Sequence, residues 1–168
     1  MSSYEVRAIR FIQQIFSYIM DCHTVSNYER AVDRFNMDYN RNVICSHGMT
    51  RIALVTSDYV VKIDYHPSNI KRWGGSEQEM KFYQMAYNEG YGYLFAKIKP
   101  YYYKGHLFYI MPRIKGVGSQ FGDASEYMTV EENDWCWDHE LYDLHNQNYG
   151  WKNGRVVIID YGANDFRY

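Results

Sequence analysis

The sequence predicts an α+β fold with a small antiparallel sheet, and three observations support this prediction. Apolar residues recur at helical spacing near the N-terminus. Runs rich in β-branched and aromatic residues, broken by turn residues, occupy positions 43–65 and 93–114. A helical segment separates these runs, and short turns join the strands within each run. With 168 residues, 46% of them hydrophobic, the chain is long enough for one domain or one compact two-lobed unit.

Two helices are predicted at the N-terminus. The sequence SSYE at positions 2–5 is a capping box that opens the first helix. Its apolar face is formed by Val6, Ile9, Ile12, Phe16 and Ile19. The second helix begins at Ser26, with a glutamate three residues later, and its apolar positions are Tyr28, Ala31, Val32 and Phe35. Core packing is the simplest role for both faces, and a docking surface for a partner is the alternative.

Strands and a third helix follow. Residues 43–65 are predicted to form two strands of apolar and β-branched residues, joined by a turn at positions 57–58. Residues 76–90 come after two glycines and are predicted to form a helix. Ser76 is the expected N-cap of this helix, and Gly90 is expected to end it.

The C-terminal half continues with a hairpin, a linker, a helix and a second hairpin. Residues 93–114 turn at Lys104-Gly105 and return as an apolar strand. A glycine-rich linker covers residues 115–125, and an acidic helical stretch covers residues 130–142. The last strand pair turns at residues 152–154, where Asn-Gly suits a tight hairpin turn.

Composition narrows the classes of function. The net charge of −2 provides no electrostatic footprint for nucleic acid, whereas the 19 tyrosines are compatible with a protein partner. Cys22, Cys45 and Cys136 are far apart and form no CxxC pair, so a zinc site is not expected and a reduced, cytosolic setting fits. The N-terminus has no signal-peptide pattern, and no apolar run approaches the ~18 residues that a membrane span needs.

A lysine and a glutamate are the first candidate site residues. Lys62 lies inside the apolar run YVVKID, where a lysine is costly to bury unless it meets an anion. The alternative is an edge strand on which Lys62 faces water. Glu79, in the following helix, could supply the anion, with Glu77 as a second choice for this role. Because Glu79 is three residues after Ser76, it could instead complete a capping box.

The residues that carry the chemistry lie near the C-terminus. Residues 143–148 read DLHNQN, and a short apolar run ends in DYG at residues 160–162. These segments match the D-L-x-x-x-N part of the protein-kinase catalytic loop and its D-F-G motif, with Tyr for Phe. The chain therefore resembles the protein-kinase-like fold over residues 43–162. It resembles the small Ser/Thr protein kinases encoded by lytic bacteriophages and other minimal kinase-like phosphotransferases.

The resemblance implies a fold and a cofactor. Residues 1–40 would be two extra helices, residues 41–114 a kinase-like N-lobe of sheet plus one helix, and residues 115–168 a minimal C-lobe. The chain would use ATP and Mg²⁺ to phosphorylate hydroxyl groups on a protein. A host protein during phage infection, in the cytoplasm of the host bacterium, is the expected kind of target. No nucleic acid or membrane partner is expected.

The resemblance also assigns roles to single residues. Asn148 and Asp160 would bind the metal, because carboxylate and amide oxygens suit Mg²⁺. Asp143 would take the proton of the acceptor hydroxyl. Lys62, paired with Glu79, would hold phosphate oxygens. His145 stands where protein kinases often carry a lysine, and it is expected to contact the transferred phosphoryl group or to be a structural histidine.

Further residues would surround the nucleotide. The phosphate-covering loop would be residues 45–54, with Gly48 as its one glycine and Arg51 as a supporting cation. Ala53 would line the adenine slot, and Met111 would begin the hinge. Leu141 stands where the family usually has the histidine of its catalytic loop.

Other functions fit parts of the same pattern. A kinase-like protein without catalysis could bind and inhibit a host protein, and the sparse glycine loop favours this alternative. A small-molecule kinase shares the motif order but needs a larger lower lobe. A metal nuclease could also use paired aspartates, but the charge balance provides no basic groove for its substrate.

Overall fold

The computed structural model describes residues 1–65 and 75–160, and these residues contain four α-helices and seven β-strands. The predicted α+β class is confirmed at this level. The chain divides into two compact units: unit 1 comprises residues 1–70 and 99–113, and unit 2 comprises residues 71–98 and 114–168. The N-terminal helices, predicted as a separate segment, therefore belong to the same unit as the five-stranded sheet.

Unit 1 contains two helices and five strands. The helices are α1 (Ser3–Ile19) and α2 (Val25–Tyr39), and the strands are β1 (Ile44–His47), β2 (Arg51–Val55), β3 (Tyr59–Asp64), β4 (Lys99–Tyr103) and β5 (His106–Pro112). All neighbouring strands are antiparallel, in the order β1-β2-β3-β5-β4. Helix α1 packs against β3, β4 and β5, and α2 packs against β1.

The predicted capping box of α1 is confirmed, since the backbone N–H of Ser2 donates to Glu5 Oε2 at 2.7 Å. The predicted apolar face is partly wrong, because Val6 is 37% exposed. The face that packs in the core is rotated around the helix and consists of Ala8, Phe11, Ile12, Ile15, Phe16 and Ile19. Their i, i+3, i+4 spacing is a better match to one helical stripe.

The second helix begins at Val25, one residue earlier than predicted. Thr24, rather than Ser26, is its N-cap, and the Thr24 hydroxyl accepts the N–H of Asn27 at 3.2 Å. A threonine side chain in this position satisfies one of the free amides of the first turn. The four predicted apolar positions of α2 are all buried in the core, as expected: Tyr28, Ala31, Val32 and Phe35.

Residues 43–65 form three strands, so the prediction of two strands was wrong. The predicted turn at positions 57–58 joins β2 and β3, but a second turn at residues 48–50 separates β1 from β2. Strand β1 is mostly exposed at the edge of the sheet, and it carries polar residues such as Ser46 and His47. It therefore lacks the buried alternating pattern by which strands are recognised.

Side chains alternate between the two faces of the sheet. One face packs on the helices and includes Ile52, Leu54, Val61, Ile63, Phe108 and Ile110. The residues between them point to the opposite face. There Ala53 pairs with Lys62, and Lys62 pairs with Tyr109 on β5. These three residues thus form one row across the face that does not contact α1 and α2.

Both predicted tight hairpins are confirmed. Strands β4 and β5 turn at Lys104-Gly105, with φ angles of 47° and 79°. In unit 2, strands β6 (Tyr149–Lys152) and β7 (Arg155–Ile158) turn at Asn153-Gly154, with φ angles of 53° and 75°. Positive φ at both central residues is the signature of a type I′ turn, which matches the twist of the flanking strands.

Unit 2 also contains helices α3 (Ser76–Asn88) and α4 (Val130–Asp138). The N-cap of α3 is Gly75, and Ser76 is already the first helical residue, so the predicted cap was one residue off. Helix α4 ends four residues before the predicted end, and Glu140 adopts a φ of 61°. The core of this unit includes Phe82, Phe95, Trp135, Leu141, Leu144, Tyr149 and Ile158. No helix in the described ranges combines the length and apolarity that a membrane span requires.

Candidate functional site

The segment after α4 holds the catalytic-loop-like residues of unit 2. Leu141 and Leu144 are buried in the core of this unit. The N–H of Leu141 donates to the carbonyl of Cys136 at 2.8 Å, and the carbonyl of Leu144 accepts the N–H of Ala124 at 2.7 Å. Leu141, together with Leu144, thus fixes the loop by apolar burial.

Asp143 and His145 lie on the more exposed side of this loop. Their side chains are 35% and 46% exposed, and His145 Nε2 lies 3.2 Å from Asp143 Oδ1. The other ring nitrogen, Nδ1, accepts the N–H of Gln147 at 3.2 Å. With Nδ1 acting as an acceptor, the proton of a neutral His145 is on Nε2 and is directed at the Asp143 carboxylate.

Asn148 joins this loop to the end of the β6–β7 hairpin. Its side-chain Nδ2 donates to the carbonyl of Asp143 at 3.0 Å, and its backbone N–H donates to the carbonyl of His145 at 2.9 Å. Its own carbonyl accepts the N–H groups of Ile159 at 2.8 Å and Asp160 at 3.4 Å. The structure therefore brings together three predicted site residues: Asp143, Asn148 and Asp160.

The side-chain oxygen of Asn148 is the distinctive atom of this arrangement. Asn148 is only 8% exposed, and in the part of the chain that the structure describes no hydrogen bond uses its Oδ1 atom. Buried polar atoms are normally satisfied. Amide oxygens, like carboxylate oxygens, are ligands that Mg²⁺ accepts. Tyr161 and Gly162 of the DYG motif lie outside the described residues.

The glycine-rich linker is tied to the same loop. Asn146 Nδ2 donates to the carbonyl of Phe121 at 3.1 Å, and the hydroxyl of Tyr149 donates to the carbonyl of Gly122 at 2.8 Å. Gly116 forms an isolated β-bridge with Gly150. A Cβ added at Gly150 would lie 2.2 Å from the carbonyl oxygen of residue 115. Residues 115–122 therefore support the candidate site. Asn146 was not recognised from the sequence, although its position in DLHNQN was the available signal.

Lys62 belongs to unit 1 and lies on a central strand. Strand β3 has β2 on one side and β5 on the other, and Lys62 is 6% exposed. The alternative of an edge strand facing water was therefore wrong. A lysine buried to this extent is tolerated only with anionic or hydrogen-bonding partners. Tyr109, its register partner on β5, is also buried and was missed, although the alternation along residues 106–112 places it in phase with Met111.

Other predicted nucleotide contacts share the sheet face of Lys62. Arg51 and Ala53 on β2 alternate with the core residues of that strand, and Ala53 is the register partner of Lys62. Met111 pairs with Val60, so it lies on this face as well. Met111 is buried within β5, which continues to Pro112, so the hinge predicted to begin at Met111 was wrong at that residue.

Gly48 lies in the turn between β1 and β2. Its N–H donates to the carbonyl of Arg51 at 2.9 Å, and its carbonyl accepts the hydroxyl of Tyr65 at 3.1 Å. A side chain added at Gly48 would meet no atom within 4 Å, and its φ is not positive. The described structure thus does not itself require glycine at this position.

Glu79 of α3 is completely buried, with 0% exposure. Because Gly75 is the N-cap, the capping-box position is Gln78, and the proposal that Glu79 completes a capping box with Ser76 was wrong. Glu77, the second choice, is exposed and pairs with Lys81 at 2.9 Å within the helix. Glu79 is therefore the carboxylate of this helix that needs a buried partner.

The described residues contain no group of three or more His, Cys, Asp or Glu side chains placed to hold a metal. This does not conflict with the Asn148 and Asp160 pair, because Mg²⁺ in phosphotransferases uses few protein ligands together with substrate phosphates and water. Comparison of the chain with protein-family models, with curated proteins and with solved structures finds no match.

Proposed function

We propose that the protein is an ATP- and Mg²⁺-dependent phosphotransferase of the protein-kinase-like type that phosphorylates hydroxyl groups on a protein. The observation that carries the proposal is the junction at Asn148. One residue holds the carbonyl of Asp143 through its side chain and the N–H of Asp160 through its backbone. In the proposed reaction these three residues are the proton acceptor and the two metal ligands.

The roles follow from the chemistry of phosphoryl transfer, which depends on positioning and charge stabilisation. Asp160 and the amide oxygen of Asn148 would hold Mg²⁺, which would neutralise charge on the phosphate oxygens. Asp143 would accept the proton of the acceptor hydroxyl. The hydroxyl oxygen would bond to the γ-phosphorus as the bond from that phosphorus to the leaving ADP breaks. His145, hydrogen-bonded to Asp143, would orient that carboxylate.

Lys62 and Glu79 support the same proposal from separate parts of the chain. Both are charged side chains in buried positions, where such groups are held by oppositely charged or hydrogen-bonding partners. Protein kinases place a lysine on the third strand and pair it with a glutamate of the next helix. Lys62 is on β3, and α3 is the next helix of the described chain.

A transfer assay tests the proposal. Purified protein is incubated with γ-labelled ATP, Mg²⁺ and a bacterial lysate, beside the variants Asp143→Ala and Lys62→Met. We expect labelled protein with the wild type and a loss of at least about a hundredfold with either variant. Glu77→Gln is the control, since this exposed carboxylate has its partner within its own helix. Equal labelling by wild type and Asp143→Ala would contradict the proposal.

A kinase-like binding protein without catalysis is the second candidate. The observation that favours it is the β1–β2 turn, where the N–H of Gly48 is used within the hairpin and so is not available to a phosphate. For this function, the protein would inhibit a host protein through its surface. This second function predicts that no phosphoryl group is transferred to any lysate protein. It also predicts that the wild type and Asp143→Ala bind the same lysate protein.

A further inference from the structure

A second candidate site lies in unit 1, on the side of α1 that faces the β2–β3 turn. The cleft has a volume of about 740 Å³. Its lining includes Arg7, Arg10, Arg41, Phe11, Asp58 and Tyr59. This volume is within the range of about 300–1,000 Å³ that is typical of small-ligand sites. None of these residues belongs to the proposed phosphotransfer machinery.

The charge of this cleft is strongly unbalanced. Three arginines line it, and Asp58 is the acidic residue of its lining. Asp58 is already used, because its Oδ2 accepts a hydrogen bond from Arg7 Nε at 2.6 Å and also contacts the Arg7 Nη2 group. Among the described residues, neither Arg10 nor Arg41 forms a side-chain hydrogen bond or an ion pair.

The positive charges of two arginines in the cleft affect the pKa of the same phenol, Tyr59. Burial raises the pKa of Tyr59, the Asp58 charge adds to the rise, and the positive charges of Arg41 and Arg7 oppose it. Both arginines line the cleft together with Tyr59. Arg113 Nη1, in turn, donates to the carbonyl of Thr56 at 2.7 Å and so holds the β2–β3 turn that forms one wall.

We propose that this cleft binds a phosphate monoester, with Arg10 and Arg41 as its principal ligands. Guanidinium groups present paired N–H donors that match phosphate oxygens, and such charge-assisted bonds are stronger than neutral ones. The buried rings of Phe11 and Tyr59 in the lining suit the organic part of the ester. The phosphate can come from a small metabolite or from a phosphorylated side chain of a peptide.

Calorimetric titration at low salt tests this site on the full chain. The probes are phosphoserine, inorganic phosphate, and a phosphoserine heptapeptide beside its unphosphorylated form. We expect the phosphate-bearing probes to bind, and Arg10→Gln/Arg41→Gln to weaken that binding at least about tenfold. Arg30→Gln/Arg34→Gln is the matched control, since it removes two exposed arginines of α2 that line a different cleft.

The outcomes separate the possible sources and the two proposals. Tight binding of the phosphopeptide relative to phosphoserine assigns the site to a phosphorylated protein, and the reverse assigns it to a metabolite. Asp58→Asn frees Arg7 and is expected to increase the affinity. Lys62→Met, which is expected to abolish phosphotransfer, should leave phosphoserine binding unchanged. The proposal is overturned if Arg10→Gln/Arg41→Gln binds like the wild type, or if the wild type binds no probe below about 10 mM.

Discussion

Removal of the Asn148 side chain is the sharpest test of the candidate site. In Asn148→Ala, the 3.0 Å hydrogen bond to the Asp143 carbonyl is lost, but all three backbone bonds of residue 148 remain. A lost hydrogen bond costs about 1 kcal/mol, and the partly buried carbonyl that is left unsatisfied adds up to a similar amount. We expect the free energy of unfolding to fall by about 2 kcal/mol.

The effect on the nucleotide is separate from this loss of stability. At a hundredfold excess over its dissociation constant, ATP·Mg²⁺ should stabilise the wild type by about 2.7 kcal/mol. If Asn148 supplies a metal ligand, its loss should weaken binding at least about tenfold, so the same ligand concentration should stabilise Asn148→Ala by only about 1.4 kcal/mol. Urea denaturation with and without ATP·Mg²⁺ measures both quantities.

The same loop offers a matched control. Asn146 also donates its Nδ2 to a backbone carbonyl, that of Phe121 at 3.1 Å, but it has no proposed contact with the metal. Asn146→Ala should lose about 1 kcal/mol of stability and keep the full stabilisation by ATP·Mg²⁺. If ATP·Mg²⁺ stabilises Asn148→Ala as much as the wild type, or if Asn146→Ala and Asn148→Ala lose this stabilisation equally, Asn148 is not a metal ligand.

Two further predictions concern stability. Gly150→Ala should lower the free energy of unfolding by about 1–3 kcal/mol, because the new Cβ would lie 2.2 Å from the carbonyl oxygen of residue 115. Gly48→Ala should lower it little, because a Cβ there meets no atom within 4 Å. Equal urea midpoints for the two variants would contradict this prediction. Although burial alone raises the pKa of Glu5, the Lys99 ammonium at 2.5 Å and the Ser2 amide outweigh it and lower that pKa. Lys99→Met should therefore have a lower free energy of unfolding than the wild type at pH 7, and this difference should shrink as the pH falls below about 4.5. A difference in urea titrations that does not change with pH would exclude the contribution of this ion pair.

Local chemistry explains which parts of the fold the sequence could predict. The Asn-Gly turn and the capping box of α1 were predicted because their residue types act within a few positions of themselves. Strand β1 was missed because it lies at an exposed edge, where no alternating apolar pattern is needed. The N-cap of α3 is a glycine, which carries no side-chain signal, so the neighbouring Ser76 was chosen instead.

The candidate site shows the same division. The types and order of Asp143, Asn148 and Asp160 could be read from the sequence. Their junction could not, because it depends on backbone hydrogen bonds between the loop and the strand that follows the hairpin. The sequence left open whether Lys62 lies on a central or an edge strand, since strand order decides this and the residue's neighbours in sequence do not.

The β6–β7 hairpin determines the spacing on which the proposed chemistry depends. Tyr149 pairs with Ile158, so the next residues outward, Asn148 and Ile159, meet at the open end of the hairpin. The type I′ turn fixes this register, since a slip of one residue would turn every side chain to the other face. A slipped hairpin would move Asp160 away from the Asn148 carbonyl. The tight turn at the far end therefore sets the distance between the two proposed metal ligands, without touching either of them.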